Sequence, residues 1–261
     1  MTESVARLAL RISRRLSQHA FKNMIPLQAP AGVVCFTFDD APVSACQTGA
    51  QILERHGVRG TYYIAGGLTA TLEQGNPCHG EEDLRRLLAA GHELGSHSFS
   101  HVRCDTLTAA ALQREFTQNE AFLATLGVSP ERLNFAYPFG ACAYNAKRIA
   151  SARFRSCRIT GGGMQAGQAD LNALKTHRLY EVAVDAEDYP TLLERTARKK
   201  GWLIVNTHDV TDAPSRFGTT PQRLEQAVST ALACGCQVLT MNAAIDYWCN
   251  QAVAKDTGHS K

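Results

Sequence analysis

Between Val33 and Met241 the chain alternates short β-branched and aromatic runs with stretches of helical period, and this alternation narrows the choice of folds most. Val33–Phe38, Thr61–Ala65, His92–Ser96, Asn134–Tyr137, Phe154–Thr160, Arg178–Val184, Trp202–Thr207 and Gln237–Met241 read as strands. Helical patterns lie between them over Ser44–His56, Glu81–Ala90, Thr108–Leu126, Asn145–Ala152, Thr191–Lys200 and Pro221–Ala233, with a terminal helix over Ala243–Trp248. Ser44 and Thr108 stand where N-caps belong, and Gly57, Gly91 and Gly127 where helices stop. Strand and helix in alternation imply a parallel sheet covered by helices, open or closed into a barrel, and seven or so strands suit closure. No repeat or low-complexity linker divides the body. The expected organisation is an N-terminal arm (1–30), one domain (31–250) and a short polar tail (251–261).

In a parallel α/β sheet the carboxyl ends of the strands share one edge, where sites assemble. Four motifs follow strand-like runs here. Asp39-Asp40 ends the first; alone, this is ordinary turn or cap chemistry. His97-Ser98-Phe99-Ser100-His101 places two imidazoles four apart, on the same side of a single helical turn, and alone is most simply a solvated pair. Ser98 between them could hold a ligand or a neighbouring carboxylate, and Gly91–Ser96 is rich in small residues suited to close backbone approach. Tyr137-Pro138-Phe139-Gly140 fixes a turn, and His208 ends the Trp202 strand as either a satisfied core group or a titrating one, with Asp209 pointing away. Taken together, the first two motifs offer an oxygen ligand, two nitrogen ligands and a spare carboxylate, which is what a hydrolytic metal site needs.

Charge excludes one class of partner. The net charge is +3, but residues 1–30 carry +4 and the remainder about −1, so the body is not a nucleic-acid binder and only the arm is basic. In the arm Val5, Leu8, Ile12 and Leu16 fall near one helical face, with Arg7, Arg11, Arg14 and Arg15 largely elsewhere. Two readings follow: a helix docked on its own domain with its arginines in solvent, which is favoured, or a basic amphipathic helix in peripheral contact with a membrane. The odd count of nine cysteines, several in apolar runs, points to reduced thiols, and Cys234-Gly235-Cys236 to a helix-to-strand turn. With no secretory signal and no stretch of membrane-spanning length, a cytoplasmic location is expected.

Thr37-Phe38-Asp39-Asp40, His97 to His101, Pro138-Phe139-Gly140 and the late His208, in this order from about Val33 to Ile245, resemble the NodB-type polysaccharide deacetylases, carbohydrate esterase family four. The resemblance implies a distorted (β/α) barrel. It implies a divalent metal held by Asp40, His97 and His101, zinc first and cobalt, nickel or manganese as alternatives. Asp39 would be the catalytic base, His208 the acid, and the Phe139 backbone N–H an oxyanion donor. The implied activity is removal of an N-acetyl group from a sugar of a glycan or glycan precursor. The alternatives are hydrolysis of another non-peptide C–N bond, in a formamide or cyclic amide, and glycan binding without turnover. The polar, glycine-rich loop Gly161–Asn172 is expected to bear on that choice.

Three positions depart from the family pattern. Ala41 stands where glycine is common, Phe135-Ala136-Tyr137 occupies a stretch that often carries a base-tuning arginine, and the usual acid-tuning aspartate is missing. Arg158 is the candidate to replace the arginine, and Asp185 or Asp188 to orient His208.

Overall fold

The computed structural model describes residues 3–73, 75–182 and 188–257. Helix α1 (Glu3–Ser17) precedes strand β1 (Met24–Leu27) and then β2 (Val33–Asp39). A π-helical turn over Ala45–Gly49 leads into α2 (Ala50–Arg55), followed by β3 (Thr61–Ile64), the hairpin β4 (Leu72–Glu73) and β5 (Asn76–Pro77), and α3 (Glu81–Ala89). Next come β6 (Glu93–Ser96), α4 (Ala109–Thr125), β7 (Asn134–Ala136), α5 (Tyr144–Ser151), β8 (Ser156–Gly162), β9 (Gly167–Asp170) and β10 (Leu174–Arg178). The chain ends with α6 (Tyr189–Lys199), β11 (Trp202–Thr207), α7 (Pro221–Ala233), β12 (Gln237–Val238) and α8 (Met241–Thr257).

Strands β2, β3, β6, β7, β8, β10 and β11 pair in that order, all parallel, and β11 returns to pair with β2, so the sheet closes into a seven-stranded barrel surrounded by helices. The closing seam runs from Trp202 opposite Val33 to Thr207 opposite Phe38. The wall is irregular elsewhere: β6 meets β7 at Ser96 and Phe135, and the β8–β10 register shifts between Leu174 and Thr176. Strand β12 pairs with the start of β2, while β3 pairs with its end.

Side chains alternate along each strand. On β2, Val34, Phe36 and Phe38 pack in the large core between wall and helices. Val33 and Cys35 face the second core inside, with Tyr63, Ala136, Trp202 and Ile204. Helix α8 plugs the amino end of the barrel, burying Met241, Ala244, Ile245 and Trp248 against that inner cluster. The lower half of the barrel is thus filled by apolar groups, leaving the carboxyl end for polar ones.

Most of the expected elements are present, and the departures have local causes. Ser44 already has helical dihedrals and makes no cap hydrogen bond; its Oγ accepts from the Val210 N–H at 3.2 Å. The strand expected at Arg178–Val184 runs instead over Leu174–Arg178, where pairing with both β8 and β11 sets its place, and residues 183–184 lie outside the described residues. The last strand stops at Val238, because Met241 already begins α8 with its N–H held by Thr61 Oγ1 at 3.0 Å. Gly161–Asn172, expected as a loop, contains the end of β8 and β9, and β9 pairs antiparallel with β1 of the arm. The segment from residue 251 is helical to Thr257. The nine cysteines are free thiols, and Gly235, at φ 75°, makes the turn between α7 and β12.

One buried histidine ties stability to pH. The Gly60 N–H donates to His92 Nδ1 at 3.0 Å, so the ring carries its proton on Nε2, which faces Glu54 Oε1 at 3.1 Å. Burial pushes the His92 imidazole below its ordinary 6.5, against the opposing pull of Glu54. The unfolded chain therefore takes up this proton first as pH falls. Stability should be full above pH 6.5 and decline as pH drops through it toward the folded value. Denaturant melts between neutral and mildly acidic pH should show that decline, and His92→Gln should flatten it.

Candidate active site

The carboxyl ends of β2, β6, β7, β8 and β11 bring the four motifs to one cavity of about 230 Å³, lined by Asp39, Asp40, His97, His101, Phe139, Thr160, Arg178, Tyr180, His208 and Phe217. Asp39 is the last residue of β2 and points inward by the same alternation that buries Cys35. Asp40 follows in the left-handed region, at φ 60°, and so turns to the same cavity. Ala41 is left-handed too, at φ 46° and fully buried, which explains why glycine suits this place better.

Asp40, His97 and His101 each offer a ligand atom, all within 4.8 Å of one another. Asp40 Oδ1 lies 3.2 Å from His101 Nε2 and 3.6 Å from His97 Nε2, and it is buried without a hydrogen-bond partner. The neighbours fix both rings. His97 Nδ1 donates to the Ala136 carbonyl at 2.8 Å, and His101 Nδ1 faces Glu73 Oε1 at 3.4 Å, so both Nε2 atoms are left for a ligand. Burial pushes the His97 imidazole down to about 3, which keeps it neutral and able to donate its lone pair. An orphaned buried carboxylate oxygen facing two imidazole nitrogens fits a divalent cation such as zinc.

The histidine pair is not on a helical turn. Ser98 and His101 both have positive φ, 59° and 50°, and a tight loop brings the rings to 5.1 Å. Glu115 on α4 holds that loop, with Oε2 accepting from the N–H groups of Phe99 (3.0 Å) and Ser100 (2.8 Å). Ser98 Oγ accepts from the Val102 N–H at 3.3 Å, so it braces the loop and holds no ligand.

Arg158 on β8, wholly buried, pairs with Asp39 through its Nη2. Burial pushes the guanidinium down to about 9, still above neutrality, so it stays charged beside the carboxylate. Its plane lies 4.4 Å over the Tyr63 ring, and Tyr63 has room because β6 passes it with Gly95: a Cβ there would sit 2.7 Å from the ring. The small residues before the histidine pair therefore support the pocket floor. His208 follows β11, with Nε2 3.8 Å from Asp40 Oδ2 and Nδ1 3.3 Å from the Phe217 carbonyl, to which it donates. Burial lowers its pKa, with the Asp40 carboxylate pulling the other way. Of the two expected aspartates, Asp188 does not orient it. Asp188 caps α6, accepting from the Thr191 N–H at 3.0 Å, and Asp185 lies outside the described residues. Phe217 does so instead, on a rim loop pinned by Asp209, whose carboxylate accepts from Ser215 N–H and Oγ at 2.8 and 2.6 Å. Phe139, at φ 59°, sits at the mouth with its ring 4.7 Å from His101.

A closed parallel barrel with a carboxylate–imidazole cluster at its mouth defines a (β/α)-barrel protein with a candidate metal centre. Comparison with known proteins narrows that class. Residues 27–155 match the family model described as polysaccharide deacetylase, so the chain carries a polysaccharide deacetylase domain of the NodB type. The match takes in Asp39, Asp40, His97, His101 and Phe139, while Arg158 and His208 lie beyond it. The chain is similar to a chitin deacetylase of Colletotrichum lindemuthianum, 36% identical over 80 residues, 30% of this chain and 31% of that protein. It is also similar to a chitin deacetylase of Pestalotiopsis sp, 31% identical over 90 residues, 34% of this chain and 28% of that protein. The chain thus spans about a third of the length of these relatives.

Among solved structures, a peptidoglycan N-acetylglucosamine deacetylase superposes with TM-score 0.57 at 16% identity, over 84% of this chain and 90% of that one. The chitin deacetylase of Colletotrichum lindemuthianum gives 0.56 at 18%, over 84% and 88%. A CE4 family pseudoenzyme from Bacillus anthracis gives 0.56 at 16%, over 83% and 66%. At these identities the likeness establishes the fold, and the fold alone does not decide turnover.

Removing Arg158 would leave a buried carboxylate without its partner. Arg158→Met should cost about 3–5 kcal/mol of stability in denaturant titrations. Arg158→Lys, which keeps a charge but loses the planar fork, should recover only part of it. An unchanged midpoint for Arg158→Met would show that the pair is not structural.

Proposed function

We propose that the chain is a metal-dependent hydrolase that removes an N-acetyl group from an N-acetylated sugar of a glycan or glycan precursor. The observation that carries this reading is the buried Asp40 Oδ1, without a hydrogen bond, facing the two imidazoles of His97 and His101, with Asp39 and His208 on the same cavity. The domain's family and the chitin deacetylase relatives support the substrate class.

Asp40, His97 and His101 would hold the cation, which when bound polarises the acetyl carbonyl and lowers the pKa of water. Asp39, paired with Arg158, takes a proton from the attacking water as the C–O bond forms. The Phe139 N–H is the proposed donor to the oxygen that gains charge. His208 passes a proton to the sugar nitrogen as the C–N bond breaks, and acetate and a free amine leave. Retention of both groups favours turnover over binding alone, since a binding module needs neither a base nor an acid. A cytoplasmic location is part of the same proposal, supported by the unpaired cysteines; cell fractionation tests it.

Acetate release from N-acetylglucosamine oligomers measures the activity directly. Asp39→Asn should reduce it by roughly 10²–10³ or more while leaving metal stoichiometry intact. His97→Ala should lose the metal as well. A strong chelator should lower the melting temperature of wild type but not of His97→Ala. Oligomer binding with no acetate release in wild type or Asp39→Asn would favour a non-catalytic module. Turnover of a formamide or cyclic amide alone would move the substrate class.

A further inference from the structure

Helix α1 shows its apolar stripe to solvent. Val5, Leu8, Ile12 and Leu16 recur at spacings of three and four, one face of a helix, and each is at least half exposed (50–57%). The other side of the helix grips the body. Arg14 donates from Nε and Nη2 to the buried Asp105 carboxylate at 2.9 and 2.6 Å, Ser13 Oγ accepts from the Tyr144 N–H at 3.1 Å, and Ser17 is buried. Exposed Arg11 and Arg15 border one edge of the stripe, and Glu3 is the single acid in the helix sequence. The favoured docking on its own domain is therefore present, but it uses the polar side and leaves the stripe uncovered.

We propose that this face of α1 is a docking surface for an anionic lipid bilayer, the helix lying in the plane of the interface with its stripe at the acyl boundary and the arginines among the headgroups. Charge selects the occupant. A second copy packed face to face would set arginine against arginine across a two-fold axis, whereas acidic headgroups over an apolar layer match both parts of the surface. Among the described residues no helix is long and apolar enough to cross a membrane, so the contact is with the surface.

The docked helix stands beside the candidate active site. Asp105, which holds Arg14, also accepts from Arg103 at 3.0 Å; Arg103 lies 5.8 Å from the Phe139 ring, which packs on His101. Helix α1 is thus linked through Asp105 and Arg103 to the rim of the pocket, and the substrate proposed for a bilayer-docked chain is an N-acetylated glycan carried on a lipid. That last clause rests on the deacetylase reading; the docking does not.

The full chain should co-sediment with vesicles of phosphatidylcholine mixed with phosphatidylglycerol and not with phosphatidylcholine alone, and added salt should weaken the binding. Arg11→Gln and Arg15→Gln should each lower the partition coefficient roughly five-fold. Ile12→Asp, at an exposed position, should lower it by about ten-fold or more while keeping the wild-type melting temperature and acetate release from soluble oligomers. Equal binding to both vesicle types, or full binding by Ile12→Asp, overturns the proposal. A dimer in light scattering that Ile12→Asp dissolves overturns it in favour of a second copy. Acetate release without vesicle binding sinks the docking alone, and vesicle binding without acetate release sinks the deacetylase reading alone.

Discussion

The pairing of β11 with β2 closes the barrel, and the candidate site exists because of that seam. With Thr207 opposite Phe38, the next residues out, His208 and Asp39, leave adjacent strand ends at the same height. Side chains alternate with a period of two, so a slip of one residue would turn Asp39 out toward the helices and Phe38 into the cavity. The apolar filling of the lower barrel, from Trp202 and Trp248 upward, holds the register by giving each inward side chain a place.

Above that filling the barrel holds charge, which is costly unless paired. The structure divides it between two carboxylates with different surroundings. Asp39 is neutralised by Arg158, itself stacked on Tyr63. Asp40 has two imidazoles and no hydrogen bond on one oxygen, an arrangement that fits a cation. Neighbouring residues thus take opposite parts, because one lies on the strand and the other on a left-handed turn just beyond it.

Much of this was legible in the sequence. Asp39-Asp40 and the His97/His101 pair sit at ends of runs whose composition marks them as buried strands, and α/β topology places such ends together. Arg158 could be proposed because the expected arginine is absent from Phe135–Tyr137 and another lies at the following strand. Glu73, Glu115 and the Phe217 carbonyl could not be found this way. Each acts from a hairpin, a helix or a rim loop whose approach to the site is set by packing, and a carbonyl carries no sequence signal at all. Nor could the sequence decide which way the α1 stripe turns, since periodicity shows that a helix has an apolar face but not which side its own domain covers.

By itself the sequence determined the alternation of strand and helix, hence a parallel sheet with covering helices, and the residue types at its strand tips. Local patterning sufficed because period-two and helical burial are written into adjacent residues. Tertiary structure alone decided which partners complete those residues: Arg158 for Asp39, Glu73 for His101, Phe217 for His208, and solvent for the apolar side of α1. These depend on contacts between segments far apart in the chain, whose distances are fixed only once the barrel has closed.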